Sequence, residues 1–134
     1  QRRSREGGDW PSTEEGERLQ AEEVERVYTM LFSHPAVAAI TWWDFSDRNA
    51  WQRAPAGFIR TDLSPKPAYH KLKSLIKEKW WTSQAGTTAA NGRFEFRGFL
   101  GDFVVRARTG DARTAEKTVT LTKTRANRVM LRLE

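Results

Sequence analysis

The stretch that most constrains this chain is residues 37–47. Val37, Ala38, Ala39, Ile40 and Thr41 form an uninterrupted run of small and branched side chains, which then ends in Trp42, Trp43, Asp44 and Asp47. A run without polar alternation fits a parallel strand covered on both faces by helices, because each of its faces then meets apolar side chains. The flanking segments read as helices. In such folds ligand sites lie at the carboxyl ends of the strands, so the aromatic and acidic residues closing this run are expected at the mouth of a site.

Before the run, Ser12 and Glu15 have the spacing of a capping box, and Glu14, Glu15 and Glu17 complement the dipole of a helix start. Leu19, Ala21, Val24, Val27, Tyr28, Leu31 and Phe32 recur at near-helical spacing, and His34-Pro35 ends the helix because a residue preceding proline is pushed out of the α region. After the run, residues 46–62 are polar, turn-rich and longer than a connection requires, which marks a functional loop. A second helix is expected to open at Ser64 with Pro65 in its first position. Its stripe is Ala68, Tyr69, Leu72, Leu75 and Ile76, opposite Lys66, Lys71, Lys73 and Lys77.

Beyond Trp80-Trp81 the pattern changes to two-residue alternation. Residues 93–97, 102–109, 119–121 and 129–133 read as strands, with Asn91-Gly92, Gly98, Gly101 and Gly110-Asp111 as turns. The expected class is therefore α/β followed by all-β: a helix–strand–helix piece over residues 1–82 and a small antiparallel β-sandwich over residues 83–134. One helix, one parallel strand and a second helix cannot bury themselves, since the strand's ladder groups need partners. Residues 1–82 are thus expected to belong to a larger fold. The chain starts at Gln1 without an initiator methionine, so its translation start is expected further upstream.

The formal charge of +6 is unevenly spread, and its distribution decides its meaning. Residues 1–27 carry five basic and eight acidic side chains, residues 28–86 eight and four, and residues 87–134 ten and five. The excess sits on the second helix and on alternating strands, as expected of solvated faces, and no nucleic-acid partner is inferred. No apolar run approaches the roughly 18 residues of a membrane span, and the N-terminus leads into no apolar stretch of the signal-peptide kind. With no cysteine, disulfides and thiolate metal sites are excluded. No phosphate loop, serine triad or histidine pair at ligand spacing occurs, so neither metal nor cofactor is implied.

Several separated motifs carry a family resemblance. Gln20-Ala21-Glu22, His34-Pro35-Ala36-Val37, Ile40-Thr41-Trp42-Trp43, Phe45-Ser46-Asp47, Trp51 and the run Asp62 to Tyr69 resemble, in order and spacing, the end of a glycoside hydrolase family 10 catalytic domain, the xylanase family. The resemblance covers about residues 12–79. It implies the terminal helix, strand and helix of a (β/α)8 barrel in a retaining enzyme acting on β-1,4-xylan or a related plant polysaccharide, in an extracellular or periplasmic setting. The family's two catalytic glutamates would both precede Gln1, so this chain would contribute no catalytic residue and would be inactive alone. What matches is substrate-binding: Trp43 as the tryptophan closing the sugar cleft, Trp51 as its companion on the following loop, and Asp47 and Arg53 orienting those loops. Asp44 stands where glycine is common in the family. It either adds a carboxylate beside the sugar or bonds neighbouring loop amides. The C-terminal segment resembles carboxypeptidase-regulatory-like β-sandwich modules through Asn91-Gly92-Arg93-Phe94-Glu95-Phe96 and Gly98-Phe99-Leu100-Gly101-Asp102-Phe103.

The remaining aromatics and histidines have plainer readings. Trp42 points away from Trp43 and is expected to pack under a helix. Trp80 and Trp81 are expected between the two pieces, His34 at a helix end and His70 on the surface. Asp44 and Asp47 are not read as an acid/base pair, which would need opposed environments to separate the two pKa values. A non-catalytic module that binds glycan or protein is the alternative to a hydrolase segment.

Overall fold

The computed structural model describes residues 10–123 and 127–133. The chain divides into two compact units, Gln1–Trp80 and Trp81–Glu134. In the first, helix α1 (Glu14–Ser33) is followed by an irregular stretch, a 3-10 turn (Trp51–Arg53), helix α2 (Pro67–Ser74) and a π-helical turn (Leu75–Lys79). The second unit holds strands β1 (Gly101–Arg108) and β2 (Thr114–Leu121).

Helix α1 is amphipathic. Ala21, Val24 and Tyr28 are buried along one face together with Glu17, and they meet Phe58, Ala68 and Leu75 in a small core. Ile40, Trp42, Tyr69, Leu72 and Trp80 are partly buried against that core. The helix ends at His34, whose amide donates to the Leu31 carbonyl at 3.1 Å, as the following proline requires. Its start differs from expectation. Thr13 is the N-cap, accepting from the Gly16 amide at 3.1 Å, while the Ser12 hydroxyl donates to Glu17 at 2.8 Å. The capping box loses to this alternative because Glu15 is held by Arg18 on the solvent side.

The second helix also starts later than the sequence pattern suggests. Lys66 precedes Pro67 and is therefore extended (φ −84°, ψ 163°), so no helical turn can form before Pro67. Ser64 instead completes a turn in which its amide and hydroxyl both donate to Asp62, at 2.9 and 2.6 Å. These two bonds hold the Asp62 carboxyl below its ordinary range. Lys66 thereby leaves the solvated stripe on which its spacing had placed it and is wholly buried.

Residues 37–41, read as a core strand, form no ladder among the described residues. Val37 and Ile40 are half-buried and Ala38, Ala39 and Thr41 exposed. On the helices Leu19 is 47% exposed, with Met30 and Phe32 also exposed, whereas Val27 and Leu72 are half-buried. Trp80 stacks on Phe32 within the first unit, with ring centroids 4.2 Å apart and planes 7° from parallel.

Among the described residues of the second unit, β1 and β2 form a two-stranded antiparallel hairpin. Its register runs from Gly101 opposite Leu121 to Arg108 opposite Thr114. The turn falls at the expected Gly110-Asp111: the Thr109 amide donates to the Arg113 carbonyl at 3.0 Å, with Ala112 in the left-handed region (φ 70°). At Asn91-Gly92 a second turn forms, Gly92 taking φ 73° and bonding back to Ala89. Phe94, Phe96 and Phe103 form a chain of ring contacts. Among the described residues, 93–97 and 129–133 join no ladder, and the strand pairing present is that of β1 with β2. Strict alternation specifies a two-faced extended segment but supplies no neighbour in register.

Candidate functional site

The loop between Trp42 and Lys66 is organised by Asp47. One carboxylate oxygen accepts from the Gly57 amide at 2.9 Å, and the other meets Lys66 Nζ at 2.7 Å. The Asp47 side chain is 8% exposed and that of Lys66 0%. Lys66 also donates to the Pro55 carbonyl at 2.8 Å, so two of its three protons have named acceptors. The Asp47 backbone adds a bond to the Ile59 carbonyl at 2.9 Å and accepts from Ala50 at 3.2 Å. Around it, Ser46 bridges to Ile59 and Ile59 to Pro65, which draws the two ends of the loop together. Gly57 is required where it stands. A Cβ there would lie 2.7 Å from the Ser46 carbonyl carbon and 2.8 Å from the Asp47 nitrogen.

Above this anchor sit the tryptophans. Trp42 packs beneath α1 as expected, its ring centroid 6.2 Å from Tyr28 and 5.0 Å from Phe58, and its indole donates to the Ala56 carbonyl at 3.0 Å. Trp43 turns the opposite way and is 76% exposed, and Trp51, on the 3-10 turn, is 60% exposed. Asp44 links them, its carboxylate accepting from the Trp51 amide at 2.8 Å. Its carboxylate thus bonds a loop amide, one of the two roles open from sequence. Arg53 lies on the same turn with a left-handed backbone (φ 54°), its amide donating to Ala50. The depression of about 780 Å³ beside this loop is lined by Trp10, Ser12, Asp47, Asn49, Arg53 and Arg60, and neither Trp43 nor Trp51 borders it.

The loop is tied to α1 through residues that pattern reading passed over. Arg60 donates to both oxygens of Glu17, at 2.8 and 2.5 Å. This guanidinium holds the Glu17 carboxyl below its ordinary value of 4.5, against the opposing effect of burial, with the Ser12 hydroxyl adding to the lowering. Gln20 donates to the carbonyls of Ala56 and Gly57. Lys66 and Gly57 were missed because a lysine among prolines reads as surface and a glycine in a polar segment reads as flexible. The signal available was the Pro-Lys-Pro spacing, which denies Lys66 a helical position.

A lowered carboxyl pKa stabilises the fold fully above its unfolded value and ceases to do so as pH falls through the folded one. Thermal melts should therefore show stability falling as pH drops below about 5. Glu17→Gln should melt lower at neutral pH and flatten part of that fall. The remainder belongs to Asp62, Asp111 and the exposed pairs of Glu15, Glu23 and Glu25, whose carboxyls are lowered too. An unchanged pH profile in Glu17→Gln would deny the Glu17–Arg60 pair this role.

Comparison with known proteins bears on the same region. Over 95 residues the chain is 33% identical to the anti-sigma-I factor RsgI6 of Acetivibrio thermocellus, covering 71% of this chain and 12% of that protein. It is 32% identical over 69 residues to endo-1,4-beta-xylanase B of Thermotoga neapolitana, covering 45% of this chain and 19% of that protein. The chain thus spans less than a fifth of either relative. Among the described residues no helix is long and apolar enough to cross a membrane. The sequence model of glycosyl hydrolase family 10 matches residues 5–75, more than half of the chain and the whole of the loop that carries Trp43, Asp44, Asp47 and Trp51, and the chain therefore belongs to glycosyl hydrolase family 10.

Proposed function

We propose that this chain is the closing segment of a (β/α)8 glycoside hydrolase barrel acting on β-1,4-xylan or a related plant polysaccharide. Its contribution is the wall of the sugar cleft. The observation that carries the reading is the pair of exposed indoles, Trp43 and Trp51, on a loop whose third tryptophan, Trp42, is packed inward. An indole face suits the apolar C–H surface of a pyranose, and a side chain held by a rigid loop loses little entropy on contact. Asp47 and Lys66 fix the loop from beneath, Arg53 flanks it, and Asp44 holds Trp51. The two catalytic carboxylates, which a retaining mechanism needs about 5 Å apart, are assigned to barrel strands outside this sequence. Residues 83–134 follow as a β-rich accessory module of the carboxypeptidase-regulatory-like kind, and the parent protein works outside the cytoplasm.

The test is made in the full-length protein with linear xylo-oligosaccharides. Trp43→Ala and Trp51→Ala should each lower kcat/KM about thirtyfold, the effect of removing an aromatic hot spot of about 2 kcal/mol. Wild-type kinetics in both variants would remove the cleft-wall assignment. The 134-residue chain by itself should not hydrolyse xylan.

A second reading is favoured by the anti-sigma factor, whose similarity reaches over more of this chain than that of the xylanase. In it the same tryptophan surface binds glycan without cleaving it, as part of a regulatory protein. Retention on insoluble xylan without release of reducing sugar by the full-length protein would select this reading.

A further inference from the structure

We propose that Asp44 is a positioning residue for glycan binding, holding Trp51 in its sugar-facing orientation. The inference rests on the reading of Trp51 as a sugar contact. Residues 49–53 form a backbone that cannot hold itself: Asn49, Gln52 and Arg53 all have positive φ, at 62°, 55° and 54°. Asparagine adopts this conformation readily, but it is disfavoured for Gln52 and Arg53, and such backbone persists only when its surroundings dictate it. Internal backbone bonds close two turns here, Arg53 to Ala50 at 3.0 Å and Ala54 to Trp51 at 3.2 Å. They leave the Trp51 amide without a backbone acceptor.

That amide donates to Asp44 at 2.8 Å. Among the described residues no other side chain bonds the backbone of residues 49–53. Asp44 also directly follows Trp43, so its carboxylate joins the backbone carrying one exposed indole to the backbone carrying the other. The two are thereby held at a set separation, which a repeating polymer of sugar rings can exploit. Asp47 secures the inner side of the loop, while Asp44 secures the turn bearing the indole itself.

The required property is an acceptor oxygen at this place, and an amide side chain supplies one without the charge. In the full-length protein, Asp44→Asn should bind a linear xylo-oligosaccharide with a Kd near wild type. Asp44→Ala should raise Kd about tenfold, the usual weight of a hydrogen bond to a charged acceptor. Asp44→Ala combined with Trp51→Ala should bind no more weakly than Trp51→Ala, because the first acts through the second. Amide exchange supplies a readout independent of glycan: the Trp51 amide should exchange about tenfold faster in Asp44→Ala and at the wild-type rate in Asp44→Asn.

Unchanged exchange in Asp44→Ala overturns the proposal. So does loss of affinity in Asp44→Asn equal to that in Asp44→Ala, which would assign the carboxylate charge a direct contact with sugar. Additive effects in the double variant overturn it as well. If Trp51→Ala leaves Kd unchanged while exchange in Asp44→Ala is fast, the sugar-contact reading fails and the proposal with it, although the Asp44–Trp51 bond stands.

Discussion

Replacing Lys66 by methionine should destabilise the first unit by about 3 to 5 kcal/mol, the range for removing one partner of a buried ion pair. Methionine fills nearly the same volume without the charge. What remains is Asp47, with its side chain 8% exposed, one oxygen still accepting from Gly57 and the other facing the space left by the ammonium. The Pro55 carbonyl loses its donor in the same step. Urea unfolding followed by tryptophan fluorescence measures the loss. Adding Asp47→Asn should recover a large part of it, since asparagine keeps an acceptor for the Gly57 amide and removes the unpaired charge. A loss below about 1 kcal/mol, the usual worth of an exposed pair, would show that water reaches this pair.

Gly57→Val should cost about 3 kcal/mol or more, the upper end for forcing atoms into a filled site. The obstruction is backbone: the Ser46 carbonyl carbon and the Asp47 nitrogen lie 2.7 and 2.8 Å from the position of an added Cβ, and the Asp47 carboxylate lies 2.9 Å from it. The first two are backbone atoms, and the third is a side-chain oxygen whose carboxylate is held by Lys66. Relief requires residues 46–47 to move away from residues 57–59, which breaks the Gly57–Asp47 bond and the Ser46–Ile59 bridge. The same urea titration reads the effect, and Gly57→Ala should fall between wild type and valine. A fully stable Gly57→Val protein would mean that the two strands of the loop are not in contact.

The two effects meet at one point. Asp47 accepts from Gly57 and pairs with Lys66, and the loop it secures also bears Trp43 and Trp51. Loss of either partner should therefore loosen the tryptophan loop before it unfolds α1, whose own face is held by Val24, Tyr28 and Leu75.

Much was legible from residue order alone. The period of Ala21, Val24 and Tyr28 specified one buried helical face, and His34-Pro35 specified where that helix stops, because both are local steric matters. The hairpin turn at Gly110-Asp111 was equally local, as was the opposite orientation of Trp42 and Trp43, which follows from the two-residue alternation of extended backbone. The motif series from Gln20 to Tyr69 marked the family.

Other features were set by groups distant in sequence. Glu17 is buried because Arg60 reaches it across 43 residues, and Lys66 because Asp47 and Pro55 converge on it. A charge has no preferred depth of its own: its burial depends on partners that only the folded chain brings within hydrogen-bonding distance. The same holds for pairing. Residues 37–41, 93–97 and 129–133 have the composition of strands, but a strand is completed by a neighbour's amides and carbonyls, and sequence pattern carries no information on whether that neighbour is present.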